Sequence, residues 1–126
     1  VDVPWEDLPE SFRDANRQSA DHIAVKLRAI GAVAVDDDGA GAGEAPGFAF
    51  TDDEVETLSR MEHLRWCADR VLKGWRWAEE RDDMRLLHPS LIPWADLSEV
   101  ERDKDRSTVR NIPELMRLAG RRIVRV

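Results

Sequence analysis

The chain has 126 residues, of which 36% are charged, and a formal net charge of −7 at pH 7. This length and a hydrophobic content of 42% are typical of one soluble globular domain. No apolar run approaches the roughly 20 residues that cross a bilayer, so we expect no membrane insertion. The acidic balance disfavours nucleic-acid binding, which needs clustered Lys and Arg. A lone cysteine, Cys67, suits a reducing compartment, so we expect a cytoplasmic protein.

Residues 4–35 are predicted as a first helical arm. Apolar side chains recur at helical spacing from residue 12 to residue 30, and residues 32–35 read as a short strand. The segment 36–47, DDDGAGAGEAPG, has no periodicity, so we expect a mobile surface loop. Its three Asp residues are contiguous rather than alternating, which disfavours a calcium-binding loop.

Residues 51–77 are predicted to hold the central helix and a short strand rich in Trp. Thr51 and Glu54 form a capping-box pattern, and Gly74 can end the helix in the left-handed conformation. Apolar positions at helical spacing indicate the core-facing side: Val55, Leu58, Met61, Leu64, Cys67, Ala68, Val71 and Leu72. Three of the five tryptophans lie in this stretch: Trp66, Trp75 and Trp77. Because one buried Trp removes about 150–250 Å² from water, we expect this region to be the energetic centre of the fold.

Residues 78–92 are predicted to form an ordered loop, because Pro89 disfavours a continuous helix. A second arm follows over 93–126. In this arm Ser98 is a candidate N-cap, Pro113 suggests that a helix restarts, and the final residues read as a strand.

The two arms resemble each other in sequence. PWEDLPESFRDANRQSADHIAVKLRAIG, from Pro4, aligns without gaps on PWADLSEVERDKDRSTVRNIPELMRLAG, from Pro93. Chance similarity between amphipathic helices explains the apolar spacing but not the shared PWxDL openings. We therefore expect two pseudo-twofold-related arms flanking the central helix, with Trp5 and Trp94 as anchors in equivalent pockets.

Four pieces of sequence resemble the ryanodine-receptor repeat (RYR) domain. They are EHLRW at 62–66, GWRW at 74–77, RDD at 81–83 and HPSLIPW at 88–94. The resemblance covers residues 51–120 closely, and the leading PWEDLP is similar to that of bacterial single-copy members. One departure is Trp77-Ala78, where the family usually has Tyr-Gly.

The resemblance implies a mainly helical α+β fold with short strands and no catalytic machinery. The receptor repeats are cytosolic modules of a calcium-release channel, and bacterial relatives commonly adjoin Rossmann-type domains that regulate potassium transport. The receptor repeats are also associated with adenine-nucleotide binding in a cleft. That association implies a ligand-binding role for Trp66, Arg81 and His88.

Two further arginines, Arg70 and Arg85, are candidate ligand-binding residues, because a guanidinium offers forked donors to phosphate oxygens. Ordinary surface pairing with nearby acidic residues is the alternative for each of them. Trp66 either stacks on a ligand or packs in the core. Trp75 is a third candidate anchor.

Metal binding and catalysis have little support in the sequence. His63 and Cys67 are one helical turn apart, but two ligands do not make a zinc site, and we expect His63 to hydrogen-bond a neighbouring loop instead. There is no P-loop, nucleophile elbow or GxGxxG motif. We therefore predict no metal, no cofactor and no enzymatic activity.

The sequence favours a regulatory module that binds a nucleotide or another phosphorylated small molecule. It would pass that state to a neighbouring domain of a longer protein, which we expect because the chain begins with Val1 rather than Met. The family resemblance implies that this longer protein is related to ion transport. The alternative is a protein-interaction or oligomerisation module without a small ligand. A weak homodimer with Trp66 near the twofold axis is compatible with both.

Overall fold

The computed structural model describes residues 10–37 and 48–126 of the chain. The described elements are, in order, α1 (Glu10–Ala29), β1 (Ala32–Asp36), α2 (Asp52–Leu72), β2 (Arg76–Trp77), β3 (Leu87–His88), a 3₁₀ turn (Trp94–Asp96), α3 (Glu99–Arg110), α4 (Ile112–Leu118) and β4 (Arg121–Arg125). This is the mainly helical α+β fold that the sequence predicts. Trp5 and most of the predicted mobile loop, residues 38–47, lie outside the described residues.

The predicted helix starts are confirmed by their capping contacts. At the start of α2, the Thr51 hydroxyl accepts a hydrogen bond from the Glu54 backbone N–H at 3.2 Å, and the Glu54 carboxylate accepts one from the Thr51 N–H at 2.8 Å. At the start of α3, the Ser98 hydroxyl accepts from the Glu101 N–H at 3.3 Å. Each contact satisfies a backbone donor that the first helical turn leaves unpaired.

β1 and β4 pair antiparallel, and the residues that pair are related by the internal sequence repeat. Both strands occupy the same place in the two aligned copies, 89 residues apart. The pairing is centred on Ala34 and Ile123, which are equivalent residues, and it extends symmetrically to Ala32 with Arg125 and to Asp36 with Arg121. The two copies are therefore related by a local twofold axis through this sheet.

The same symmetry continues into the turns before the two strands. Gly31 and Gly120 are equivalent, and both have φ 74°. The Gly31 carbonyl accepts from the Val126 N–H at 2.8 Å, and the Gly120 carbonyl accepts from the Asp37 N–H at 2.9 Å. The equivalence is limited farther back along the arms, because α1 is one continuous helix whereas the second arm breaks at Asn111 before the predicted restart.

The apolar core lies between the two arms and this sheet. Its buried residues are Leu27, Ala32, Ile112 and Ile123, and partly buried residues packed against them are Ile23, Ile30, Ala34, Phe48, Phe50 and Met116. Ile23 and Ile112 are equivalent in the repeat, so both arms contribute matching side chains. Phe48 and Phe50 meet edge to face with ring centroids 5.1 Å apart, which brings the start of α2 onto the core.

The predicted core-facing side of α2 is correct only in its first part. Val55 and Leu58 are buried, but Leu64 is 70% exposed and Leu72 is 87% exposed. Polar residues take the inward positions in the rest of the helix: Ser59, Glu62, His63 and Asp69. The physical reason is that basic partners satisfy the two carboxylates, so burying them leaves no unpaired charge.

The prediction that three tryptophans form the energetic centre is also wrong. Trp75 is buried, Trp66 is half-buried, and Trp77 is 54% exposed on β2. A contiguous apolar cluster lies around the β1–β4 sheet, and further buried apolar residues are Val55 and Leu58 on α2 and Leu97 and Val109 in the second arm.

The symmetry of the two turns can be tested with Gly31→Ala and Gly120→Ala. A Cβ at either position meets no atom closer than 3.9 Å, so the cost is the left-handed backbone itself. We expect urea unfolding to show similar losses at the two sites, about 1–2 kcal/mol each. Asn at the same positions should cost less, because Asn tolerates this conformation. A loss at one glycine only would contradict the equivalence of the turns.

Candidate functional site

One side of α2 carries a continuous group of rings and cations, called here the aromatic–cation cluster: His63, Trp66, Arg70, Trp75, His88 and Trp94. The His63 and Trp66 rings are stacked, with centroids 6.0 Å apart and planes 21° apart. The His88 ring meets Trp66 edge-on at 4.9 Å and lies 6.2 Å from Trp75. Trp94 lies 6.2 Å from His63 on the other side.

Local backbone structure brings the later members of the cluster back to α2. Gly74, with φ 93°, reverses the chain after the helix, and the Trp75 N–H donates to the Arg70 carbonyl at 2.9 Å. β2 then pairs in parallel with β3, which sets His88 beside this turn. The chain segment between β2 and β3 is compact because Asp82 and Leu87 exchange two backbone hydrogen bonds of 2.9 Å across a tight turn.

Arg70 lies over two indole rings. Its guanidinium carbon is 5.7 Å from the Trp66 ring centre and 5.5 Å from that of Trp75. Within about 6 Å of a ring, such a cation is attracted to the negative face of the indole. The guanidinium also lies 3.5 Å from an Asp69 carboxylate oxygen, and its side chain is 15% exposed.

A backbone hydrogen bond fixes the tautomer of the neutral His88 ring. Its Nδ1 accepts a hydrogen bond from the Ser90 backbone N–H at 3.0 Å, so the neutral ring carries its proton on Nε2. Burial, followed by the charge of Arg81, lowers the pKa of His88 below its ordinary value. At neutral pH the ring is therefore a neutral hydrogen-bond donor, not a cation.

The structure separates the five predicted ligand-binding residues into two groups. Trp66, Arg70 and His88 come together in the aromatic–cation cluster. Arg81 and Arg85 lie on the exposed turn that leads into β3. Arg81 pairs there with Asp83 at 2.7 Å, the ordinary surface pairing that the sequence left open as its alternative.

The three predicted anchors have different environments. Trp75 is buried, whereas Trp94 is half-buried between the central helix and its own arm. Arg102 and Arg106 each lie 5.7 Å from the Trp94 ring centre, and Arg102 donates to the Trp94 carbonyl at 3.0 Å. Trp5, the third predicted anchor, lies outside the described residues.

Sequence reasoning missed the polar contacts beneath the cluster. The buried carboxylate of Glu62 pairs with Lys26 of α1 at 3.3 Å, and His63 faces Asp105 of α3 at 3.8 Å. Helical spacing could have indicated these contacts, because it places Glu62 and His63 one turn from Trp66 on α2. The predicted hydrogen bond from His63 to a neighbouring loop is confirmed, because its Nε2 lies 2.6 Å from the Ile92 carbonyl.

The opposite side of α2 borders an open groove of about 390 Å³ between α2 and α1. It is lined by His22, Met61, Leu64, Arg65, Ala68, Asp69 and Leu72. In the described part of the chain, no group of three or more His, Cys, Asp or Glu side chains could hold a metal ion. None of the helices in residues 10–37 and 48–126 is long and apolar enough to cross a membrane.

A family model described as the RyR domain matches residues 50–125, which is more than half of the chain. The chain belongs to the RyR domain family. The matched region runs from the start of α2 through β4, so it includes the whole aromatic–cation cluster and the second arm. Membership indicates a regulatory or interaction module.

The unequal burial of the tryptophans around β2 gives a paired test. Trp75→Ala should lower the free energy of unfolding by about 3–5 kcal/mol, because it empties a packed site beside Arg70 and His88. Trp77→Ala, two residues away and exposed, is the matched control and should change it by about 0.5 kcal/mol or less. Urea unfolding measures both variants. Equal losses would mean that Trp75 is not the buried member of the pair.

Proposed function

We propose that this RyR domain is a non-enzymatic regulatory module that binds a nucleotide or another phosphorylated small molecule at the aromatic–cation cluster. It would signal the bound state to a neighbouring domain of a bacterial cytoplasmic protein related to ion transport. The family membership supports a regulatory or interaction module, and the cluster supports the ligand class.

The observation that carries the proposal is the position of Arg70 over Trp66 and Trp75, with His88 beside them. An indole face can stack on a nucleobase, a contact worth about 1–3 kcal/mol per base. A guanidinium gives two parallel hydrogen bonds to a phosphate. The Nε2–H of His88 adds a neutral hydrogen-bond donor. The same cluster can therefore contact both a base and an anionic group.

Local charge supports an anionic ligand despite the acidic chain. The net charge of −7 disfavours the approach of an anion to the protein as a whole. Arg81 and Arg70 lie near enough to His88 for their charges to help lower its pKa, although burial is the larger cause and Glu101 and Asp83 oppose them. Arg81 and Arg85 are exposed and free to move toward a ligand at the cost of weak surface contacts.

A second candidate function is protein interaction or oligomerisation. The observation that favours it is the exposure of large apolar side chains near the end of α2 and the following turn: Val71, Leu72, Trp77 and Met84. Exposed apolar surface of this kind marks interaction sites. A weak homodimer with Trp66 near its twofold axis, or a neighbouring domain of the same protein, would cover such side chains.

A thermal-shift screen against nucleotides, cyclic nucleotides and dinucleotides tests the ligand. A compound at 100 times its dissociation constant should stabilise the domain by about 2.7 kcal/mol. Trp66→Ala should abolish that shift while circular dichroism shows an intact fold. Arg81→Ala should weaken binding and reduce its salt dependence, because it removes one exposed charge.

The matched control for the arginine is Arg110→Ala, an exposed position at the end of α3, which should leave binding unchanged. If Trp66→Ala unfolds the domain, then Trp66 is a core residue. That result, or a screen in which no compound shifts the melting temperature, would favour the interaction module.

A further inference from the structure

The groove between α1 and α2 is mostly apolar, with one charged region. Its volume of about 390 Å³ lies within the range of about 300–1,000 Å³ that is typical of small-ligand sites. The apolar side chains form one stripe along α2: Met61, Leu64, Ala68 and Leu72. Leu64, Ala68 and Leu72 are exposed, so nothing in the described part of the chain covers this stripe.

The charged region is built on Glu62, whose carboxylate is shared by two cations. Lys26 Nζ lies 3.3 Å from one carboxylate oxygen, and Arg65 Nε lies 2.5 Å from the other. All three side chains are largely buried. At this end of the groove, two positive charges therefore contact one negative charge.

The other carboxylates nearby have partners of their own. Asp69, which also lines the groove, pairs with Lys73 at 3.0 Å. Asp105 lies on α3, where it faces His63 at 3.8 Å, and its charge reaches Lys26 only at longer range. Neither of them supplies a second anionic contact to the two cations, so the groove favours an anion from outside.

The guanidinium of Arg65 still has donors to offer. Both of its hydrogen bonds to Glu62 come from Nε. Its Nη1 is buried and has no hydrogen-bond partner in residues 10–37 and 48–126. Because a buried donor without an acceptor is costly, a carboxylate that reaches the outer edge of this guanidinium gains a charge-assisted hydrogen bond.

His22, on α1, adds a neutral donor to the same region. Its Nδ1 lies 3.1 Å from the Lys26 ammonium, which can only donate, so the ring carries its proton on Nε2. Burial, followed by the charge of Lys26, lowers the pKa of His22, so the ring is neutral at pH 7. The groove thus combines an apolar stripe with two hydrogen-bond donors of different charge.

We propose that the groove between α1 and α2 binds a medium-chain alkyl carboxylate, with its carboxylate at Arg65 and His22 and its chain over Ala68 toward Leu72. The helix rises about 10 Å from Arg65 to Leu72, a distance that the chain of octanoate or decanoate covers. Burial of the chain against the apolar stripe favours binding, and the guanidinium selects the acid over a neutral lipid.

This site is separate from the aromatic–cation cluster, which lies on the other side of α2. It therefore does not rest on the proposed nucleotide function. The net charge of −7 acts on the ligand at long range and is screened by salt, whereas the contacts with Arg65 and His22 are short.

Decanoate is the probe, and ¹H–¹⁵N NMR of the wild-type domain is the measurement. We expect saturable shifts centred on the backbone amides of Leu64, Arg65 and Ala68. Decanol has the same chain without the charge and should bind at least about tenfold more weakly. Acetate has the charge without the chain and should not bind at the same concentrations. Decanoate shifts that do not saturate, or decanol that binds as tightly as decanoate, would overturn the proposal.

Arg65→Gln should weaken decanoate binding about tenfold, because it removes the charge-assisted hydrogen bonds. Arg60→Gln, an exposed position on the same helix, is the matched control and should leave binding unchanged. Equal affinity of the wild type and Arg65→Gln would mean that decanoate adsorbs as a detergent, which contradicts a specific site.

A second variant avoids the buried ion pair, since Arg65→Gln also removes a partner of Glu62. Ala68→Glu adds a carboxylate at an exposed position of the groove and should also weaken decanoate binding about tenfold. Unchanged binding in this variant would place decanoate elsewhere and overturn the site. Trp66→Ala should keep decanoate binding, so the outcome for this groove is distinguishable from that for the nucleotide proposal.

Discussion

The buried ion pair between Lys26 and Glu62 is the constraint on which the arrangement of the helices depends. The two residues are 1% and 4% exposed, and their charged atoms are 3.3 Å apart. Burial lowers the pKa of Lys26, and Glu62 opposes that shift. Removing one partner of a buried pair leaves an unpaired charge, which costs about 3–5 kcal/mol. Arg65 and His22 complete the hydrogen bonds, so α1 and α2 fit together in one register.

This constraint sets the rotation of α2 about its axis. With Glu62 directed at α1, the next residue, His63, is directed at α3 and the loop before it. Trp66 follows one turn later on the same side, where the turn after Gly74 returns Trp75 to it. The side left for solvent carries Leu64, Val71 and Leu72. A polar contact thus decides where both the aromatic–cation cluster and the exposed apolar side chains lie.

The sequence was sufficient for features that depend on neighbouring residues. The capping contacts of Thr51 and Ser98 and the left-handed Gly74 follow from short patterns, and the structure contains them. The repeat was informative over a longer range, because two equivalent strands joined by a twofold axis must pair antiparallel about equivalent residues. The pairing of Ala34 with Ile123 meets that condition.

The sequence was insufficient where the partner is distant along the chain. Periodicity shows that α2 has an apolar side, but it does not show that charged residues on another side find partners 36 residues away. For this reason Leu64 and Leu72 were expected inside and are exposed. The sequence predicted part of the cluster. Trp66, Arg70 and His88 come together in the structure, whereas Arg81 pairs with Asp83 on the surface.

Signalling from a bound ligand to a neighbouring domain requires an element with two arrangements that the ligand binds unequally. The contact between α2 and α3 fits this requirement better than the apolar core does. The core around the β1–β4 sheet is closed by complementary side chains from both arms. The α2–α3 contact instead includes charged and polar pairs, Arg106 with Glu56 at 2.6 Å and His63 with Asp105 at 3.8 Å, and it reaches Trp66 within one ring contact. The exposed Leu72 lies on the same rigid helix, so a shift of α2 against α3 moves the cluster and the apolar surface together.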